Sequence, residues 1–417
     1  MDAQARNGLQ PRLSGAVWVV AGQAVQSIAS FISAIALGRL VSQEALGAFA
    51  LGYSFCFLAI SLSDTLIATP YTYFTARGEE VEAPLFSAAL TGVVGIALLV
   101  ATLFWLSLAL GLQSLDGLAV VVPAAMLVLV LRELLRRHCY VMGLLRQAWR
   151  LDAVSACLQV LLVGGLGFCG ELSAWTAFVA ILLAAGLPLL YLLPRHLRRQ
   201  PTSLGTQAPR WIRAFAQYGR WLMVGGACHV ASVQLYPWLA LVGGGARQAG
   251  LFAACSTLAN LINPLLVGLT NYFRPHFMQR AVAVRGWELA HYTAWRLVYF
   301  LLPSLAYALI CLGWGGSLLE LVYGVDYREA GTALAWLGVG VVSIAVSAPL
   351  QLALLAVRAP VTNLYYHATA LSLSVFAAVV FSDHLSLKVL GAMYAGVNLA
   401  SLLVLVLLFL GRIRSHC

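Results

Sequence analysis

The chain has 417 residues, 61% of them hydrophobic and only 10% charged, and its mean hydropathy is +0.88. Soluble domains carry about 25% charged residues, so this composition excludes a soluble globular protein and makes the bilayer the solvent that matters. The net charge of +10 is almost entirely arginine, with Lys388 the only lysine. With no soluble basic face to present, it does not read as a nucleic-acid surface and points instead to the positive-inside bias of membrane proteins.

A polar leader with Arg6 and Arg12 precedes the first apolar run. That run is longer than the roughly 7–15 residues of a signal-peptide core, and no clear cleavage site closes it, so it is expected to be a retained helix. At about 20 apolar residues per span, twelve helices follow in chain order. The first six are expected at 13–39, 46–70, 84–111, 117–137, 149–169 and 173–194. The second six are expected at 214–242, 248–273, 289–312, 330–357, 361–382 and 387–410. The longest outer loop is then 313–329. The fold class is thus all-α integral membrane, with two six-helix bundles at 1–194 and 214–417. A basic, proline-containing cytoplasmic linker at 195–213 joins them.

Several helices carry polar residues at membrane depth. Gln23, Gln26, Ser27, Ser30 and Ser33 share one face of the first helix by their three- and four-residue spacing. Asp64 lies in the second. Arg132, Glu133 and Arg136 end the fourth on its apolar side, and Arg150 and Asp152 open the fifth. His229, Ser232 and Tyr236 stripe the seventh. Ser256, Asn260, Asn263 and Asn271 stripe the eighth, which Pro264 breaks and Arg274 ends. Interhelical hydrogen bonding explains any one of these residues. Taken together, the stripes on helices 1, 7 and 8 fit a wet cavity between the bundles better.

With the N-terminus inside, all of the 25 Lys and Arg except Arg39, Arg247, Arg328 and Lys388 fall on the inner side. That bias puts Leu204 and both termini in the cytoplasm of an inner-membrane protein. For Arg137, Arg146 and Arg150 the simple account is snorkelling to headgroups. Arg132, Arg136 and Arg274 lie at similar depth near the inner mouth, and guanidinium forks bind phosphate bidentately. They are the candidate receptors for an anionic head, with Gln26, His229 and Asn260 to hydrogen-bond sugars. Ionisable groups at this depth cost at least about 2.5 kcal/mol, so Asp64 is read either as an arginine's partner or as a proton carrier, with pairing favoured.

The chain repeats itself. Laying Trp18 on Trp221 also lays Gly22 on Gly225 and Ala24 on Ala227, and past the turn Gly47, Phe49 and Ala50 on Gly250, Phe252 and Ala253. Six helices per half give both halves one orientation, a parallel repeat about an axis along the membrane normal. No catalytic signature is present: no D-x-D, G-x-S-x-G, H-E-x-x-H or P-loop, and no paired aspartates. The eight cysteines form no C-x-x-C pair, so no metal, disulfide framework or other cofactor is expected.

The turn G-R-L-V-S-Q-E-A-L-G-A-F-A (Gly38 to Ala50) and its echo A-R-Q-A-G-L-F-A (Ala246 to Ala253), within two six-helix halves, resemble Wzx-type polysaccharide flippases. These belong to the multidrug/oligosaccharidyl-lipid/polysaccharide (MOP) exporter superfamily. The resemblance implies alternating access between V-shaped bundles. It also implies a cationic lumen and an undecaprenyl-diphosphate-linked oligosaccharide as cargo, flipped to the outer leaflet beside membrane lipid and polysaccharide polymerase or export proteins. The alternatives are a drug/cation antiporter of the same superfamily, which needs acids deep in one bundle, a membrane glycan polymerase or ligase, which needs a larger outer loop, and a non-transporting scaffold.

Overall fold

A computed structural model describes residues 13–76, 82–111, 113–199, 208–283, 286–357 and 361–414. Arg6, Arg12, Arg77, Arg285, Arg358, Leu204 and both chain ends lie outside them. The N-terminal half comprises α1 (Leu13–Leu40), α2 (Gln43–Ser63), α3 (Thr69–Ala76), α4 (Glu82–Ala109), α5 (Val121–Val141), α6 (Leu145–Phe168) and α7 (Ala174–Arg199). The C-terminal half comprises α8 (Ala208–Ala259), α9 (Asn263–Ala283), α10 (Trp287–Tyr323), α11 (Gly331–Ala356), α12 (Val361–Val380) and α13 (Leu387–Arg414).

Ten of the described helical segments are long and apolar enough to cross a membrane. One of them, Met223–Met278, reverses at Gly244–Gly245 and counts twice. α5 carries four charged residues and is less apolar, although it packs between α4 and α7 like its neighbours. The expected twelve spans are therefore present, and the protein is an all-α, multi-pass membrane protein. Its surface supports this: large apolar side chains such as Phe168, Leu161, Leu190 and Leu407 point outward, as lipid contact requires.

Local chemistry sets the breaks. Ser42, in extended conformation, caps α2 by accepting the Ala45 N–H at 3.2 Å. α2 continues into α3 through a π-helical turn, Asp64–Ala68, so the second span is one rod with a widened turn. α8 breaks at Gly245, whose φ of 69° lies in the left-handed region that only glycine enters freely. The break expected at Pro264 appears as a 3₁₀ turn, Asn260–Ile262, just before α9.

Two expectations need correction. The loop expected at 313–329 is mostly helical. α10 runs to Tyr323, bending at Trp314 (φ −131°), and a 3₁₀ turn, Val325–Ala330, leads into α11. Glycines permit this: a Cβ on Gly315 would lie 2.8 Å from the Gly331 carbonyl oxygen, so the end of α10 packs straight onto the start of α11. The expected linker 195–213 is helical at both described ends, since α7 reaches Arg199 and α8 starts at Ala208.

The halves meet through the repeated turn itself. A Cβ on Gly47 would overlap the Ala246 carbonyl oxygen and lie 2.9 Å from its carbon and 3.0 Å from Gly250 N. A Cβ on Gly250 would overlap the Gln43 carbonyl oxygen and lie 2.9 Å from its carbon and 3.0 Å from Gly47 N. Gly47 and Gly250 are matching positions of the repeat, and so are Gln43 and Ala246. The contact is reciprocal, as a two-fold axis demands. Around it, Arg247 Nε donates to Gln43 Oε1 at 2.7 Å and Gln43 Nε2 donates to the Asp326 carbonyl at 3.0 Å. One end of the molecule is thereby tied across both halves. At the opposite end the Tyr71 hydroxyl lies 2.7 Å from His138 Nδ1, and the His138 and His196 rings meet at 5.1 Å, joining α3, α5 and α7.

Gly250→Val should force this backbone contact apart, at a cost of about 1–3 kcal/mol. The expected outcome is a lower thermal midpoint for the purified variant, with Gly95→Val unchanged because a Cβ there meets nothing within 4 Å. Equal midpoints for the two variants would contradict the close approach.

Candidate functional site

Positions 132, 133, 136 and 137 of α5 lie on one helical face, and α1, α6 and the π turn present polar side chains to it. Arg132 is 8% exposed and Asp152 is fully buried. Arg132 Nη2 donates to Asp152 Oδ1 at 2.7 Å and to Gln26 Oε1 at 2.9 Å. Arg136 Nη2 donates to Glu133 Oε1 at 2.7 Å, while its Nη1 donates to Gln23 Oε1 at 3.1 Å and stands 3.9 Å from Asp152 Oδ2. Arg137 is 2.8 Å from Asp64 and 3.3 Å from Glu133. The network continues along α1 and α6 through amides. Gln26 Nε2 donates to Gln159 Oε1 at 3.3 Å, and Gln159 Nε2 donates to Ser33 Oγ at 3.2 Å. Gly22 makes room for it, since a Cβ there would stand 2.9 Å from Asp152 Oδ2.

The electrostatic consequence is neutrality. Arg132, Arg136 and Arg137 face Asp64, Glu133 and Asp152, so formal charges cancel within the cluster. A buried ion pair of this kind roughly offsets its own desolvation, but removing one partner strands the other at a large cost. The arginines are also oriented, because each guanidinium is held by at least one carboxylate.

Of the residues singled out in the sequence, Gln26, Asp64, Arg132 and Arg136 are brought into this one network. The other three lie elsewhere. His229, on the limb of α8 before the break, is exposed and packs its ring 4.7 Å from that of His367 on α12. It occupies the repeat position of Gln26. Its stripe companions are packing residues: Ser232 is buried, with Oγ donating to the His229 carbonyl, and the buried Tyr236 hydroxyl lies 3.2 Å from Ser374 Oγ. Asn260, in the 3₁₀ turn, is exposed and accepts from Asn263 Nδ2 at 2.9 Å. Arg274 is exposed on α9.

Sequence reasoning left Asp152, Glu133 and Gln159 out of the candidate site, although Asp152 and Gln159 stand seven residues apart on one face of α6. His367 was passed over as well, although Asn363, His367 and Ser374 share one face of α12 by their spacing. Among the described residues no group of three or more His, Cys, Asp or Glu side chains converges as a metal site.

The bundles are unequally joined. Beyond the Gly47–Gly250 contact, α3 packs on α8, with Tyr73 against Tyr218 at 4.5 Å and Phe74 against Trp211 at 5.5 Å. Gly219 and Gly226 let α8 close on Thr65 of the π turn, where added Cβ atoms would meet Thr65 atoms at 2.9 Å. The symmetry-related pairing is not matched among the described residues: α1 packs along α6 and touches α8 and α10, but makes no extended contact with α9 there. Polar side chains are exposed on both of these helices, Gln23 and Ser30 on α1 and Asn263, Asn271 and Arg274 on α9, with Asn260 exposed in the turn before it.

Asp152→Asn should leave Arg132 buried without its counter-charge, costing about 3–5 kcal/mol. The expected result is a marked fall in thermal midpoint and in yield of monodisperse protein. Glu320→Gln, which breaks the exposed Arg328 pair, should cost under about 1 kcal/mol. An Asp152→Asn variant as stable as the parent would show that the buried pair does not hold the bundle.

The sequence matches no known family profile and no curated protein. The architecture is shared nonetheless. An inward-facing multidrug resistance MATE family transporter of the MOP superfamily superposes with a TM-score of 0.72 at 15% identity, covering 94% of this chain and 95% of that one. An outward-facing MATE family transporter gives 0.66 at 14% identity, covering 96% and 94%. A MOP superfamily transporter from Pyrococcus furiosus, described as having a binding pocket of reversed polarity, gives 0.62 at 14% identity, again covering 96% and 94%. Across essentially its whole length the chain has the fold of the MATE transporters of the MOP superfamily.

Proposed function

We propose that the chain is a transporter that moves a polyprenyl-diphosphate-linked oligosaccharide from the inner to the outer leaflet by alternating access. The observation that carries this reading is the fate of the deep acids. Asp64, Glu133 and Asp152 each face an arginine at 2.7–2.8 Å, so none of these three deep acids is left unneutralised to receive a cation. A cargo with anionic character suits the remaining surplus of guanidinium.

The unjoined α1 and α9 flank the route. Exposed amides and arginine at membrane depth are costly against lipid, so the cleft between these helices is read as watered. Arg274, with no carboxylate within ion-pair distance among the described residues, takes one side of the diphosphate. Arg132 and Arg136 form the opposing wall. Their acid partners weaken the field there, which keeps binding modest enough for release on the far side. Gln26, His229 and Asn260 hydrogen-bond the sugars while the polyprenyl tail stays in lipid. The end bearing His138 and His196 is cytoplasmic on the positive-inside rule, and Leu204 and both termini follow it. An isolated charge crossing hydrocarbon costs on the order of tens of kcal/mol, which is what such a path removes.

One observation favours the drug/cation antiporter reading: Asp64 sits in a π turn with its side chain about one-third exposed, so its pair with Arg137 could open. Export in cells separates the two. Removing the chain should trap the lipid-linked glycan on the inner leaflet. Arg274→Ala should cut export at least about tenfold, the value of one charge-assisted contact, at normal protein level, while Arg213→Ala should not. Normal export without the chain, together with sensitivity to cationic drugs, would replace the flippase reading by the antiporter.

A further inference from the structure

At the end of the C-terminal bundle where α9 connects to α10, away from the charged network of α5, lies a cavity of about 510 Å³. Its charged lining differs in kind from that network. Arg280 and Arg296 both border it, and among the described residues neither has a carboxylate within ion-pair distance, although Glu288 lines the same cavity. Both guanidiniums lean on one ring: Arg296 stands 4.7 Å and Arg280 5.9 Å from the centroid of Tyr292. Arg296 Nε is buried without a hydrogen-bond partner. Two like charges flank one aromatic ring and neither is ion-paired with Glu288, an arrangement that an anion would stabilise. The α10 N-terminus adds to this, since Gly286 provides no side-chain cap for its first N–H groups.

The surroundings say what kind of anion. Trp287 and Trp295, on the rim, are 57% and 62% exposed, and exposed tryptophan beside arginine marks the headgroup level of a bilayer. From Trp295 an exposed stripe climbs α10 through Tyr299, Leu302, Leu305 and Leu309, at steps of three and four. A soluble anion has no use for such a stripe, whereas acyl or prenyl chains do. We infer that the Arg280–Arg296 cavity is a receptor for the phosphate head of a membrane lipid, whose chains lie along α10. The inference does not depend on the cargo proposed above.

Native mass spectrometry of the full chain in neutral detergent tests it. Phosphatidylglycerol should be retained at least about tenfold more tightly than phosphatidylcholine, a difference of 1.4 kcal/mol. Arg280→Gln with Arg296→Gln should abolish that preference, whereas Arg146→Gln with Arg150→Gln, exposed arginines of α6, should keep it. Should the first pair fail to fold, Arg280→Gln alone, at an exposed position, should weaken phosphatidylglycerol about threefold or more. Farnesyl diphosphate and inorganic phosphate serve as competitors. Displacement by farnesyl diphosphate assigns the site to a diphosphate lipid, and resistance to it assigns the site to bilayer phospholipid. Unchanged retention in the 280/296 variants, equal loss in the 146/150 variants, or displacement by inorganic phosphate as effective as by any lipid would overturn the proposal.

Discussion

The backbone contact between Gly47 and Gly250 is the constraint on which the architecture depends. Two helical turns approach so closely that neither tolerates a Cβ, and each covers the other's carbonyl partner, Gln43 or Ala246. Such reciprocity is what two copies of one element make when they meet on a two-fold axis. The repeat in the sequence and the contact in space are therefore the same fact. The contact closes one end of the molecule and leaves the opposite end free to differ on its two sides, zipped between α3 and α8 and parted between α1 and α9.

From that frame follows a division of labour between halves that share a fold but not a chemistry. Gln26 and His229 hold matching repeat positions, yet the first joins an ion-pair and amide network while the ring of the second packs on another histidine. Charge is concentrated in the N-terminal half as balanced, buried pairs, which orient side chains at little net gain in stability. In the C-terminal half the described arginines of α9 and α10 rest on aromatic rings or are exposed, with no carboxylate within ion-pair distance among the described residues. Balanced pairs suit a wall along which cargo must move, and unbalanced cations suit a place where an anion stops.

Much of the fold was legible because hydrocarbon imposes length and composition on each span, and because Trp18, Gly47 and their counterparts repeat in register. The helix ends were less so. α10 overran its expected end because Gly315, Gly316 and Gly331 allow helix to pack on helix, which hydropathy does not register. Part of the site was visible as well: Gln26, Asp64, Arg132 and Arg136 stood out as polar residues at depth. Their convergence was not visible, since it depends on α1, α5 and α6 meeting. Asp152 looked like a charge at a helix start, and only the packing of Gly22 over it shows a buried counter-ion. His229, Asn260 and Arg274 stood out for the same reason, and the structure sets them apart from the network.

On the proposed reading the path favours an anionic lipid-linked cargo. The most direct measurement is translocation by the purified chain in proteoliposomes, comparing a fluorescent polyprenyl-diphosphate oligosaccharide with a lipophilic cationic dye. The account predicts that the chain accelerates movement of the diphosphate lipid and leaves the dye at its background rate. Accelerated movement of the dye, with the diphosphate lipid unmoved, would contradict it.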